Sequence, residues 1–90
     1  MSKFEWDSQK RLLNIAKHGI DFVDAIQIFQ DQDRIEAEST QGGELRFKTI
    51  GMLNSLVIFL VYTLRGSSKR IISARRASRN ERQIYIEAKR

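Results

Sequence analysis

The sequence predicts an α+β fold: a single antiparallel β-sheet with two N-terminal helices and one C-terminal helix, in the order βααββββα. Three observations carry this. Apolar residues recur at helical spacing in the first third, four later runs alternate or are continuously apolar, and a capping box opens the last segment. The four runs are separated by short Gly-, Asn- and Ser-containing turns. Strands joined so closely pair antiparallel, because parallel pairing needs a long crossover.

Phe4-Glu5-Trp6 reads as a short opening strand ended by Asp7. Asp7 or Ser8 caps a helix over Gln9 to His18 by accepting an orphan backbone N–H. That segment places Leu12, Leu13 and Ala16 on one stripe, and Gly19 supplies the left-handed residue that ends it. Asp21 caps a second helix, with Phe22, Ala25, Ile26 and Phe29 at i, i+3, i+4 and i+7. Asp31 and Asp33 fall in a solvated turn. Arg34 to Ser39 alternates, Gln41-Gly42-Gly43 turns, and Leu45 to Met52 alternates again. Gly51 to Ser55 reads as the next turn. Leu56 to Leu64 is almost continuously apolar, as in a strand covered on both faces. Gly66-Ser67-Ser68 connects it to a strand over Lys69 to Arg75. Ser78 with Glu81 caps a last helix, whose Ile84, Tyr85 and Ala88 continue a buried stripe.

The 90 residues are expected to form one domain over 1–90, with no cofactor. With no cysteine, neither a disulfide nor a thiolate nucleophile or ligand is available. One histidine and scattered acids give no metal-ligand spacing. Neither a Ser–His–Asp arrangement nor a Gly-rich phosphate loop is indicated. The first residues lack the apolar core of a signal peptide, and the run Leu56 to Tyr62 is far below the roughly 20 residues of a membrane span. A soluble, cytoplasmic protein without a membrane partner is expected.

Charge is divided unevenly. From Met1 to Leu45 there are five Lys/Arg and nine Asp/Glu; from Arg46 to Arg90 there are eleven and two, so the halves carry −4 and +9. Self-repulsion of this kind calls for an anionic partner: RNA, DNA or an acidic protein. Arg46 and Lys48 share one strand face. Lys69, Ile71, Ser73 and Arg75 share one face of the last strand, with Arg70, Ile72, Ala74 and Arg76 on the other. Arg65, Arg79 and Arg82 add to the cluster, beside a helix N-terminus that itself favours phosphate. Metal-free RNA cleavage needs a base, a cation at the phosphorus and an acid. His18 is the only histidine, the residue type whose unperturbed pKa lies near neutrality, although a last-turn histidine also suits the helix dipole. Lys17 and Glu81 are the other proton-transfer candidates; Glu81 doubles as the capping acid. Phe4 and Trp6 either stack on bases or pack beneath the sheet.

These residues also form a recognisable series. Phe4-Glu5-Trp6-Asp7, Lys17-His18-Gly19-Ile20 with Phe22 and Ala25, and Arg46 with Thr49-Ile50-Gly51 come first. Thr63-Leu64-Arg65-Gly66, Arg70-Ile71-Ile72-Ser73-Ala74-Arg75 and Glu81-Arg82 with Tyr85 complete it. In this order the chain resembles the BrnT toxin family of bacterial type II toxin–antitoxin systems. The resemblance implies a RelE-like ribonuclease fold, metal-independent RNA cleavage, and inhibition of translation and growth. It also implies a BrnA-type antitoxin with a ribbon-helix-helix part, operator DNA being bound only through the antitoxin complex. Carried over residue by residue, it points to Lys17, His18, Arg46, Arg65, Arg75, Glu81 and Arg82. Gln32 and Arg76 depart from it, standing where family members often carry proline. The expected catalytic set is therefore His18, Arg46, Arg75, Lys17 and Glu81. Lys48, Arg65, Lys69, Arg70, Arg79 and Arg82 are expected to bind RNA. A non-catalytic RNA- or DNA-binding module and an antitoxin-binding domain are the alternatives.

Overall fold

The structure, a computed structural model, describes residues 3–89. Helix boundaries follow their local signals. In α1 (Ser8–His18) the Asp7 carboxylate accepts from the Gln9 and Lys10 N–H groups, and Gly19, at φ 70°, ends the helix. Asp21 caps α2 (Phe22–Ala25) and also accepts both arms of the Arg11 guanidinium at 2.8 Å. The second helical stretch is shorter than its periodicity suggests: from Ile26 to Gln30 it tightens into a 3-10 turn. The predicted capping box of α3 (Arg79–Ala88) forms in full, with Ser78 and Glu81 bonding each other's backbone N–H.

The five strands are β1 (Lys3–Glu5), β2 (Ile35–Gln41), β3 (Glu44–Leu53), β4 (Leu56–Arg65) and β5 (Ser68–Arg76), ordered β1-β5-β4-β3-β2. Three tight hairpins make β2 to β5 antiparallel, as expected. The sheet is nevertheless mixed, because β1 pairs parallel to β5, which the intervening helices permit by returning the chain the long way round. Gly42 and Gly43 both take positive φ in the first hairpin, the two-residue geometry that matches strand twist. Gly51 lies inside β3 rather than in a turn. A Cβ there would stand 2.9 Å from Ile28 Cβ, so glycine lets the 3-10 turn lie on the strand.

A bulge in β5 alters the predicted faces. Tyr62 pairs with Ile71 but Val61 with Ser73, leaving Ile72 as the extra residue. The alternation therefore changes phase. Lys69, Ile71, Ala74 and Arg76 lie on one face, and Arg70, Ser73 and Arg75 on the other. The first, covered face packs under α2 and the 3-10 turn. Its core comprises Phe22, Ala25, Ile28, Ile58, Leu60, Tyr62, Ile71 and Ala74. Phe4 and Trp6 join this packing against Phe29 and Phe22 instead of lying open.

Helix α1 does not bury its leucines. Leu12 and Leu13 are 58% and 66% exposed, and Ala16 is also exposed, whereas Asn14 is buried. The reason is where the helix docks. It runs along the edge of β5 beyond the end of β1, and a strand edge presents polar backbone groups. Asn14 Nδ2 donates to the Ala74 and Ile20 carbonyls at 2.7 and 2.9 Å, and its Oδ1 accepts from the Ala74 N–H at 3.2 Å. Of the stripe expected in α3, only Tyr85 is buried; Ile84 and Ala88 are exposed. Tyr85 donates its hydroxyl to Asp31, which also accepts the Met52 N–H at 2.8 Å. Asp31 thus ties α3 to β3 instead of idling in a solvated turn.

Candidate active site

The face of the sheet opposite α2 is open except where α3 crosses one end. Strand pairing sets its residues in rows. Ile35, Ile50, Phe59 and Arg75 form the first, followed by Ala37, Lys48, Val61 and Ser73. The same register puts Ser39 and Arg46 beside Thr63, Arg70 and Glu5, with Arg65 and Ser68 beyond. Successive rows are about 7 Å apart, so Arg75, Lys48, Arg46 with Arg70, and Arg65 form a cationic ladder along the strands. The bulge completes it: with regular alternation Arg70 and Arg75 would point to opposite faces.

At the α3 end the ladder holds its most constrained group. Arg75 Nη1 and Nη2 donate to Glu81 Oε1 and Oε2 at 2.7 and 2.9 Å. Nη1 also donates to the Arg76 carbonyl at 3.2 Å, and the guanidinium lies 4.2 Å from the centre of the Phe59 ring. Glu81 is itself fixed, accepting the Ser78 N–H at 2.7 Å. The Arg75 hydrogen bond holds the Glu81 carboxyl below its ordinary range, with burial opposing and Ser78 assisting. It holds the guanidinium charged in return. Of the five guanidinium N–H groups three are engaged within the described residues, leaving Nε and one Nη2 hydrogen, which together form the side-on fork.

The other ladder cations are held more loosely. Arg70 Nη1 meets Glu5 Oε2 at 2.8 Å, and Arg46 bonds Glu44 at 3.2 Å and Gln41 at 3.1 Å. Lys48 and Arg65 are exposed and make no ion pair among the described residues. Arg46 lies two strands across and four residues along from Arg75, roughly 16 Å between Cα atoms, so the two stand well apart on this face.

Lys17 and His18 sit apart from the Arg75–Glu81 pair. They line a shallow depression with Asn14, Ile72 and Ser73, where the last turn of α1 meets the bulge of β5. Ser73 lies on the open face two residues from Arg75, so this depression borders the ladder. Lys69 lies on the covered face, 5.5 Å from the Phe29 ring centre and 5.9 Å from that of Tyr62. Arg79 is exposed at the start of α3. Arg82 donates to the Ala77 carbonyl at 3.0 Å and braces the turn into that helix.

Sequence reasoning missed Phe59, the platform beneath Arg75, because a continuously apolar strand gives no sign of which residues face outward. It also missed the acid partners Glu5 and Glu44. On the covered face, Glu36 accepts from Thr49 Oγ1 at 2.7 Å and the Tyr62 hydroxyl at 2.8 Å. Burial pushes the Glu36 carboxyl up, but these bonds and Arg34 outweigh it and hold it below its ordinary range. Burial and Glu36 together push the Tyr62 hydroxyl up. Among the described residues no group of three or more His, Asp or Glu is arranged to hold a metal ion. No helix there is long and apolar enough to cross a membrane.

The fold and this face define a small basic α+β protein whose exposed ladder of cations matches a polyanionic chain. The family model described as the ribonuclease toxin, BrnT, of type II toxin–antitoxin systems matches residues 6–81, and the chain belongs to that family. The matched stretch contains the whole of β2 to β5 and ends at Glu81, the partner of Arg75. No curated protein matches the chain.

Proposed function

We propose that the protein is a metal-independent endoribonuclease whose substrate strand lies along the open face, with Arg75 as the cation at the scissile phosphate. The observation that carries this is the guanidinium clamped by Glu81, stacked on Phe59, and left with a two-hydrogen fork suited to a phosphate. The 2′-oxygen attacks the adjacent phosphorus as its proton is withdrawn. The bond to the 5′-oxygen then breaks and that oxygen takes up a proton. Arg75 stabilises the charge accumulating on the phosphoryl oxygens between these events. Glu81 holds Arg75 in place; the lowered carboxyl makes it a better anchor than proton acceptor. His18, with Lys17 beside it, moves the proton from the depression bordering Ser73. Lys48, Arg46, Arg70 and Arg65 hold neighbouring phosphates.

In the cell this activity inhibits translation and growth, and a BrnA-type antitoxin with a ribbon-helix-helix part neutralises it, operator DNA being bound through the complex. Family membership and the ladder support this reading. Purified protein is expected to cleave RNA in EDTA, and induced Arg75→Ala and His18→Ala proteins to be folded and non-toxic. Cleavage that depends on added metal, or full toxicity of Arg75→Ala, would sink it.

A further inference from the structure

A slot of about 370 Å³ opens between α3 and the first row of the open face. Ile35, Ala37, Ile50, Phe59 and Ile84 give it a largely apolar lining, to which Glu36, Lys48, Asn80 and Glu81 add polar groups. Ile84 is 46% exposed although the adjacent Tyr85 is buried, so its side chain serves the slot rather than the core. Asn80 is exposed, and its carboxamide makes no hydrogen bond within the described residues. The slot is continuous with the Arg75 site: Phe59 carries the guanidinium and also lines the slot, as does Glu81.

We propose that this slot is a base-recognition site, taking one nucleobase of the RNA strand whose phosphate lies on Arg75, with Asn80 reading the base edge. The proposal rests on the ribonuclease reading above and adds its specificity determinant. Single-stranded RNA is recognised by splaying a base onto apolar or aromatic surface and hydrogen-bonding its edge while cations hold the backbone. All three requirements meet here: an apolar slot, a free carboxamide offering both donor and acceptor, and a phosphate fork on the neighbouring side chain. An apolar side chain of a protein partner would fill the walls but leave fork and carboxamide unused. Lys48 in the lining, and Arg75 beside the slot on Phe59, supply cations for the phosphate of such a nucleotide.

Two measurements test this. In the first, a randomised RNA pool is cut by wild type, Asn80→Ala and Ile84→Trp, and the cleavage ends are sequenced. Wild type is expected to prefer one base at a fixed position beside the cut. Asn80→Ala should reduce that preference by about tenfold. Ile84→Trp, which fills the slot, should slow cleavage of every sequence at least tenfold, with circular dichroism and melting unchanged. In the second, the four ribonucleoside 3′-monophosphates are titrated while the Asn80 amide and Ile84 methyl resonances are followed. Both should shift, with affinities that differ among the bases. Cleavage preference unchanged in both variants overturns the proposal, as do four nucleotides that leave the Asn80 and Ile84 resonances unmoved or bind indistinguishably. Base-dependent binding without cleavage by wild type would support the slot and overturn the ribonuclease reading instead.

Discussion

Arg75 shows how much a single side chain depends on its surroundings. Lysine there would keep the charge but present one ammonium point in place of a planar fork already oriented by Glu81 and Phe59. Arg75→Lys is therefore expected to lower kcat for RNA cleavage by about 10²–10³, the usual loss when one transition-state donor is removed, with an unchanged melting temperature. A lysine enzyme retaining near-full kcat would mean that charge alone suffices. Gly51 makes the opposite kind of demand, for space. Its missing Cβ is what lets Ile28 approach, so Gly51→Ala should destabilise the fold by about 1–3 kcal/mol through overpacking. A urea midpoint unmoved by this change would mean that the 3-10 turn can lift off β3 at no cost.

At the scale of elements, local chemistry was readable and long-range phase was not. Asp7, Gly19, Asp21 and the Ser78–Glu81 box act within three residues of themselves, and each helix begins or ends where they predict. The bulge at Ile72 depends on how β5 meets β4, and it moves Arg75 onto the face of Arg70, against simple alternation. The cationic residues of the candidate site were thus visible as a group, but their division between faces was not. Helix α1 misled for a related reason. Its leucines suggested a buried stripe, yet it packs against a strand edge, where a carboxamide that pairs with backbone outcompetes a hydrocarbon. Asn14→Leu, which keeps similar bulk, should therefore destabilise the protein by about 1–3 kcal/mol by leaving the buried Ala74 N–H and C=O unpaired. Equal or greater stability in chemical denaturation would show that this edge finds water or another partner.

Over the whole molecule, the charge division of the sequence becomes a division of tasks. Acids of the first half tie elements of the fold together: Asp21 against Arg11, Asp31 against Tyr85 and Glu36 against Tyr62. The Arg11 bond brings the Asp21 carboxyl down to about 2, and net hydrogen bonding lowers Asp31 despite the opposing effect of burial. A carboxyl depressed by folding contributes stability that is complete above its unfolded value, about 4, and is lost as pH falls toward the folded value. Stability should thus be level from neutrality to about pH 5 and decline below it. Five cations of the second half instead line one open face, where three of them begin paired to Glu5, Glu44 and Glu81. RNA binding should expose this arrangement through its salt dependence. Each phosphate neutralised on a single strand contributes about 0.7 to the slope of log K against log salt. A strand engaging all five cations should give a slope near −3.5, whereas one engaging only Lys48 and Arg65 should give about −1.4. Arg65→Glu should reduce the slope by at least 0.7, a full phosphate contact. Lys69→Ala should leave it unchanged, since Lys69 lies beside Phe29 and Tyr62 on the covered face. If Lys69→Ala lowers the slope while Arg65→Glu does not, the strand runs over the other side of the sheet. The bulge in β5 would then have carried Arg75 away from the RNA instead of toward it.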